Sequence, residues 1–341
     1  MRKERNRPSL RTPAADTPRG VAYSFRRVAL TAYLFLISCL GCSLNAESDK
    51  GVHVAVGQIV EHQALDTLRG GLKEGLEKRG FVEGKNLTWT YENAQGSPTT
   101  AVQIAHKLIS LDPNVIVTLS TPMTQAAASA TSEIPIVFGA VTDPETAKLT
   151  THKNVTGLTD FVPPEKQIEL IRAIVPTVKT IGIVYNPGEA NSVKQVEEIK
   201  EFCALNNLNV ELAAVTKSSD VSIVARILIG KVDAILLPTD NTVISALESI
   251  IKMGITHNIP VFGSDVDIVR RGAVAAYGVD WRTSGDALAE MVSEVLKGTA
   301  VKKIPIQNPK TLVLHVNIGA ALKMNTTIPA AIKDKADFVY E

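Results

Sequence analysis

Aromatic residues make up only 5% of this 341-residue chain, cysteines number three, and the formal net charge is +1. Each shortage excludes something. A near-neutral chain carries no electrostatic footprint for nucleic acid or for an acidic membrane surface. Cys39 and Cys42 lie close to the start, which leaves Cys203 without a partner for an internal disulfide; a small buried hydrophobe is its expected role. No Cys/His cluster has metal-ligand spacing. Val56-Gly57-Gln58 ends the first apolar run without a glycine-rich phosphate loop, and the chain has no H-E-x-x-H and no nucleophile elbow. His62 beside Glu61 suits a helix cap or a ligand contact better than a general base. With no acid–base or nucleophile constellation, the chain reads as a binding protein that is not an enzyme and needs no cofactor and no metal.

What is present begins near the N-terminus. Arg26-Arg27 precede an apolar run, Val28 to Ile37, and then Ser38-Cys39-Leu40-Gly41-Cys42. A basic segment, a short apolar core and a small residue before a cysteine form an export signal. The run is too short for a membrane span, which needs ~20 residues. The terminal cysteine resembles a bacterial lipobox, in which it becomes the lipidated first residue of the mature protein. Gly41 before it and polar Ser43 after it favour Cys42; Leu36-Ile37-Ser38 keeps Cys39 as the alternative. The polar stretch Met1 to Tyr23 is unusual for a signal and suits a start codon assigned too early.

Beyond a linker over 43–51, short apolar runs alternate with segments of helical period. Val52–Val56, Asn86–Tyr91, Val115–Leu119, Ile134–Phe138 and Val155–Leu158 read as strands, several of them apolar throughout, as in a parallel sheet covered on both faces. Leu65, Leu68, Leu72 and Leu76 mark an amphipathic helix, and Gly70-Gly71 inside it reads as a close packing point. After Phe161-Val162-Pro163-Pro164 the pattern restarts, with strands at Ile181–Tyr185, Asn209–Val215, Ala234–Leu237, Ile259–Phe262 and Ala273–Ala276. Helices are expected at about Asn191–Leu205, Val221–Ile229, Thr242–Thr256 and Ser284–Leu296. Two βαβ series in tandem imply an α/β protein of two doubly wound lobes.

In such sheets ligands bind beyond the carboxyl ends of the strands. Those ends are polar here: Gln58 and His62, Ser120-Thr121, Thr142-Asp143, Tyr185, Glu189 with Asn191-Ser192, Thr239-Asp240-Asn241, and Asp265. Helix N-capping accounts for any one of them. Polar groups at so many successive strand ends in both halves describe a cleft for a small polar ligand. Asp240 and Asp265 follow successive strands, and two neighbouring carboxylates call for a cation between them. Hydroxyls of Ser120, Thr121 and Thr142 and the helix start at Asn191-Ser192 suit a carboxylate. The set fits an α-amino acid, and a polyhydroxylated ligand as the alternative.

The order and spacing of Glu61-His62-Gln63-Ala64-Leu65-Asp66, Gly80 to Asn86, Asn93-Ala94-Gln95-Gly96, Thr121-Pro122, Val141-Thr142-Asp143-Pro144 and Asn154 to Gly157 carry a family resemblance. Tyr185-Asn186, Glu189 to Ser192, Pro238 to Asn241 and Lys297-Gly298 continue it. Together they resemble the ABC transporter substrate-binding proteins that include tryptophan- and tyrosine-binding lipoproteins. Gln63 and Glu145-Thr146-Ala147 depart from the proline and glycine expected there. The resemblance implies a type I periplasmic-binding-protein fold, with two Rossmann-like lobes joined by a multi-strand hinge. Lobe 1 is expected over 52–161 plus about 282–310, and lobe 2 over 162–281 plus about 311–341. It implies a monomer, lipid-anchored at the cell envelope, that captures an amino acid, aromatic by resemblance, and passes it to an ABC permease with its ATPase. A sugar or nucleoside binder is the first rival, although few aromatic faces stand at the cleft, chiefly Tyr185 and Trp281. A sensor feeding a membrane receptor is the second.

Overall fold

The apolar runs become the strands of two sheets. The computed structural model describes residues 51–341, so the export signal, Cys39 and Cys42 lie outside the described residues. The first half runs β1 (Val52–Gln58), α1 (Gln63–Lys78), β2 (Leu87–Asn93), α2 (Pro98–Ser110), β3 (Val115–Leu119), α3 (Thr121–Ala130), β4 (Ile136–Val141) and β5 (Val155–Thr159). These strands form one parallel sheet in the order β2-β1-β3-β4-β5. β3, β4 and β5 are buried along their whole length, as strands covered on both faces must be.

The second half follows with α4 (Pro164–Ile174), β6 (Thr180–Tyr185), α5 (Ala190–Leu205), β7 (Asn209–Ala214), α6 (Val221–Val224), β8 (Ala234–Leu237), α7 (Asn241–Ile244) and α8 (Leu247–His257). It continues with β9 (Val261–Gly263), α9 (Asp267–Arg270), β10 (Ala275–Val279), α10 (Trp281–Leu296), β11 (Leu312–Asn317), α11 (Ile318–Lys323), α12 (Ala330–Lys333) and β12 (Phe338–Tyr340). Its seven-stranded sheet has the order β12-β11-β10-β9-β8-β6-β7, with β11 antiparallel to β10. The helix expected over Thr242–Thr256 is two helices, broken at Ser245-Ala246, where Ala246 leaves helical geometry at φ −118° and ψ 23°.

α10 follows β10 in the chain but packs on the first sheet, against α1. Glycines set the approach. A Cβ on Gly71 would stand 2.7 Å from the Arg282 carbonyl oxygen, and one on Gly285 would stand 2.6 Å from that of Leu68. Gly70 meets nothing within 4 Å, so Gly71 alone of that pair is the packing point. Arg79, which caps the C-terminal end of α1, fixes the pair of helices with a two-pronged hydrogen bond to Asp286 at 2.8 and 3.2 Å. The chain therefore passes between the lobes after β5, after β10 and again before β11, and these crossings form the hinge.

Candidate functional site

The carboxyl ends of both sheets open onto one cleft, which holds two spaces. The inner one is an enclosed cavity. Ser120, Ala140 and Asp160 reach it from the ends of β3, β4 and β5, and Thr239, Asp240, Asn241 and Asp265 from the ends of β8 and β9. His62 and Leu65 at the start of α1, with Asn191, Ile244 and Trp281, complete the wall. It leaves about 20 Å³ for the centre of a water-sized sphere, room for about one water. The outer space is a groove of about 970 Å³ running between α2 and α3 on one side and the loops after β6 and β7 on the other.

Hydrogen bonding separates the two. Buried polar atoms are normally partnered, because an unpartnered one costs about 1–3 kcal/mol. Around the inner cavity many are not: His62 Nδ1, Ser120 Oγ, both Asp160 carboxylate oxygens and Asn191 Oδ1 all lack a partner. The adjoining hydroxyls of Thr121, Thr142 and Ser192 lack one too. No residue lining the outer groove has a buried polar atom in this state. Both lobes contribute to the unpartnered set, which makes the inner cavity the candidate site for a polar ligand.

Backbone strain holds part of this set in place. Ser120 sits at φ 89° and ψ 159°, a region that glycine occupies readily and L-residues rarely do. Ala140 has φ 58° where the register of β4 against β5 shifts. Ala140 and Asp160 both line the cavity there. Burial pushes the Asp160 carboxyl up to about 6; the Thr142 hydroxyl close by opposes the rise, although it makes no well-formed hydrogen bond, and the charge of Asp265 adds to it. Burial lowers the pKa of His62 against the opposing pull of Asp265 and Asn241, so the imidazole is neutral at pH 7.

Comparison with known proteins agrees with this geometry. Residues 53–340 match the family described as ABC transporter substrate binding protein. The chain belongs to that family. Its members are solute-binding proteins rather than enzymes, they work with ABC permeases, and the two-lobed architecture is the type I periplasmic-binding-protein fold. A tyrosine-binding protein of Clostridioides difficile (strain R20291) is 34% identical over 282 residues, 78% of this chain and 82% of that one. A conserved domain protein of Vibrio cholerae is 43% identical with a TM-score of 0.83, covering 85% of this chain and 100% of that one. An ABC domain from Streptococcus pneumoniae in complex with L-Trp is 31% identical with a TM-score of 0.82, over 85% and 99%. A ligand-free, open substrate-binding protein from Clostridium difficile is 34% identical, yet its TM-score is 0.65 over 85% and 99%. Of these two the less similar sequence is thus the better structural match, and the lobes here are closed rather than open.

Contacts across the cleft show what closure adds. Lys194 on α5 lies 3.8 Å from Asp143 of the other lobe, and Arg270 donates to Gln63 Oε1 at 2.9 Å. Of the residues expected at the site, His62, Ser120, Asn191, Thr239, Asp240, Asn241 and Asp265 meet at the cavity, with Thr121, Thr142 and Ser192 buried beside it. The others lie elsewhere. Gln58 is held by its own lobe: its amide donates to Asp66 and Val60, and Arg69 donates to its oxygen. Asp143 caps the turn at Glu145 and Thr146. Tyr185 packs against the core, and Glu189 lines the outer groove, where Asn241, Thr242 and Asn191 fill its oxygens.

Asp240 is a helix cap as well as a wall: Val243 N donates to one oxygen at 2.8 Å and Asn186 N to the other. Its pKa is raised by burial and then by the charge of Glu189. Asp265 accepts from Trp281 Nε1 at 3.0 Å and from Asp267 N at 3.0 Å, so the indole that lines the cavity also orients a carboxylate. Asp160 is the polar cavity residue that sequence reasoning missed, as it missed the apolar Leu65, Ala140 and Ile244. The strand-end rule could have found it, but the strand was expected to stop at Leu158, and Thr159-Asp160 is its polar end.

Proposed function

We propose that this protein is an extracytoplasmic, lipid-anchored solute-binding protein that captures an α-amino acid, most favourably an aromatic one, between its lobes and presents it to an ABC permease. The observation that carries the reading is the ring of buried, unpartnered polar groups contributed by both lobes to one enclosed cavity. The Asp160 carboxylate on one side, and the unpartnered hydroxyls of Ser120, Thr121 and Ser192 on the other, supply opposite chemistry for the two ends of a zwitterion. Leu65, Ile244 and Trp281 supply an apolar wall for a side chain. The L-Trp complex and the tyrosine-binding relative support an aromatic side chain.

With room for about one water, the closed cavity admits an amino acid only when the lobes part, and the ligand then favours closure through contacts that exist in that form alone. Lipidation at Cys42, with Cys39 as the alternative, would hold the monomer near the permease. Calorimetry of the purified protein against the twenty amino acids, sugars and nucleosides tests the reading. One-to-one binding of an aromatic amino acid with no chemical change is expected, and binding of a sugar alone would overturn it. Mass spectrometry of the membrane fraction tests the anchor: the expected mature N-terminus is a diacylglyceryl cysteine, and an unmodified terminus elsewhere would refute it.

A further inference from the structure

We propose that Asp160 is the residue that receives the ligand's α-ammonium group, with the Thr142 hydroxyl beside it, and that it thereby selects amino acids over their deamino counterparts. The inference rests on the amino-acid reading above and assigns its decisive contact. Three carboxylates wall the cavity, and the protein itself engages one of them fully and another on one oxygen. Asp240 spends both oxygens on backbone N–H groups of Val243 and Asn186, and Asp265 holds the Trp281 indole and the Asp267 amide on Oδ1. Asp160 is 2% exposed and neither oxygen has a partner. A buried carboxylate in that condition is unfavourable unless a donor arrives from outside. A resident metal is no substitute, since among the described residues no group of three His, Cys, Asp or Glu side chains is placed to hold one.

Its place in the fold fits the role. Asp160 follows β5 directly, on a crossing between the lobes, so it stays at the back of the cleft while the two walls move. A head group anchored there is within reach of both lobes at every stage of closure. Ser120 and Thr142 bring unpartnered hydroxyls from the neighbouring strand ends of the same sheet.

The test crosses one residue with one ligand group. Wild type and Asp160→Asn are titrated by calorimetry with L-tryptophan and L-tyrosine, and with indole-3-propionate and 3-(4-hydroxyphenyl)propionate, which lack the amino group. Wild type is expected to prefer the amino acids by about a hundredfold or more. In Asp160→Asn the amino acids should weaken at least tenfold, the deamino acids should change little, and the preference should shrink at least tenfold, as loss of one charged contact implies. The unliganded variant should melt no lower than wild type, because an unpartnered buried charge has been removed. Should Asn at this position fail to fold, Asp160→Ser gives the same comparison. A preference unchanged in the variant overturns the inference while leaving the amino-acid reading intact, and identifies Asp160 as a neutral buried carboxyl. Absence of binding by wild type to every amino acid overturns both.

Discussion

The outer groove and the enclosed cavity lie in one cleft, share Asn241 and differ in nearly everything else. The groove is the larger by far, yet none of its residues has a buried polar atom without a partner; Glu189 alone joins Asn191, Asn241 and Thr242. The cavity holds little space, and His62 Nδ1, Ser120 Oγ, Asn191 Oδ1 and both Asp160 oxygens are spent on nothing. Volume measures how far apart two walls stand at one moment of a hinge motion. Unpartnered buried groups measure what the walls are made to hold, and they remain when the volume changes.

Substitutions can break this contrast, and the largest effect is expected at Asp265. Asp265→Ala strands the Trp281 indole N–H and removes a carboxylate from the cavity wall, so amino-acid affinity should fall by about 2–3 kcal/mol, roughly thirty- to a hundredfold or somewhat more. Calorimetry reads it, and unchanged affinity would move the site outward to the groove.

Next comes pH. Burial raises Asp160 from 3.8 to about 6, and an ammonium ion binds its ionised form. About a tenth of that carboxyl is ionised at pH 5 and about nine tenths at pH 7, so affinity should tighten roughly tenfold over that window. The facing groups are His62, whose pKa is lowered and which stays neutral at its upper end, and Asp240 and Asp265. The linkage to folding has the opposite sense. A carboxyl raised in the folded state contributes stability that is complete below its unfolded value and is lost as pH rises through about 6. Asp160→Asn should flatten both profiles; a tenfold change that survives it belongs to another group.

Ser120→Gly is expected to separate stability from function. Glycine accepts φ 89° without strain, so the variant should melt higher, by up to the ~1–3 kcal/mol that such a conformation stores. Loss of the hydroxyl should weaken binding by about 1 kcal/mol, some fivefold. A variant that melts lower would show that Ser120 is held by its surroundings rather than against its preference. The smallest effects are expected at the rim. Lys217→Ala and His106→Ala line only the groove and should change affinity by less than about twofold, and Lys194→Ala, which removes the cross-lobe pair with Asp143, by about two- to threefold with a salt dependence. A tenfold loss at Lys217 or His106 would restore the groove as the binding site.

The fold was largely legible because its signals are local. Apolar runs bounded by turns mark buried parallel strands, and the rule that ligands sit at strand ends led to His62, Ser120, Asn191, Asp240 and Asp265 without a structure. What escaped depends on distance in sequence. Gln58 has the same local signature as Ser120, and only the reach of Asp66 and Arg69 from α1 shows that its amide is taken. Whether Asp240 is a cap or a contact turns on Asn186, far away in the chain. Asp160 was lost to a strand boundary one residue out, the least dependable quantity in a propensity reading. The break between α7 and α8 leaves no mark in sequence, for no Gly or Pro stands at Ser245-Ala246.

The contact between α1 and α10 also bears on the order in which the protein is made. α1 emerges early, and the helix that covers its Gly71 face emerges only after every strand from β6 to β10 has been synthesised. Until then the first lobe is a sheet with one flank bare, unable to complete its core from its own half of the chain. A polypeptide ending near residue 162 would hold Leu68 and its neighbours against water, and a cut between the lobes would divide one folding unit rather than release two. That delay keeps early segments from locking into a finished domain before the remainder has been synthesised.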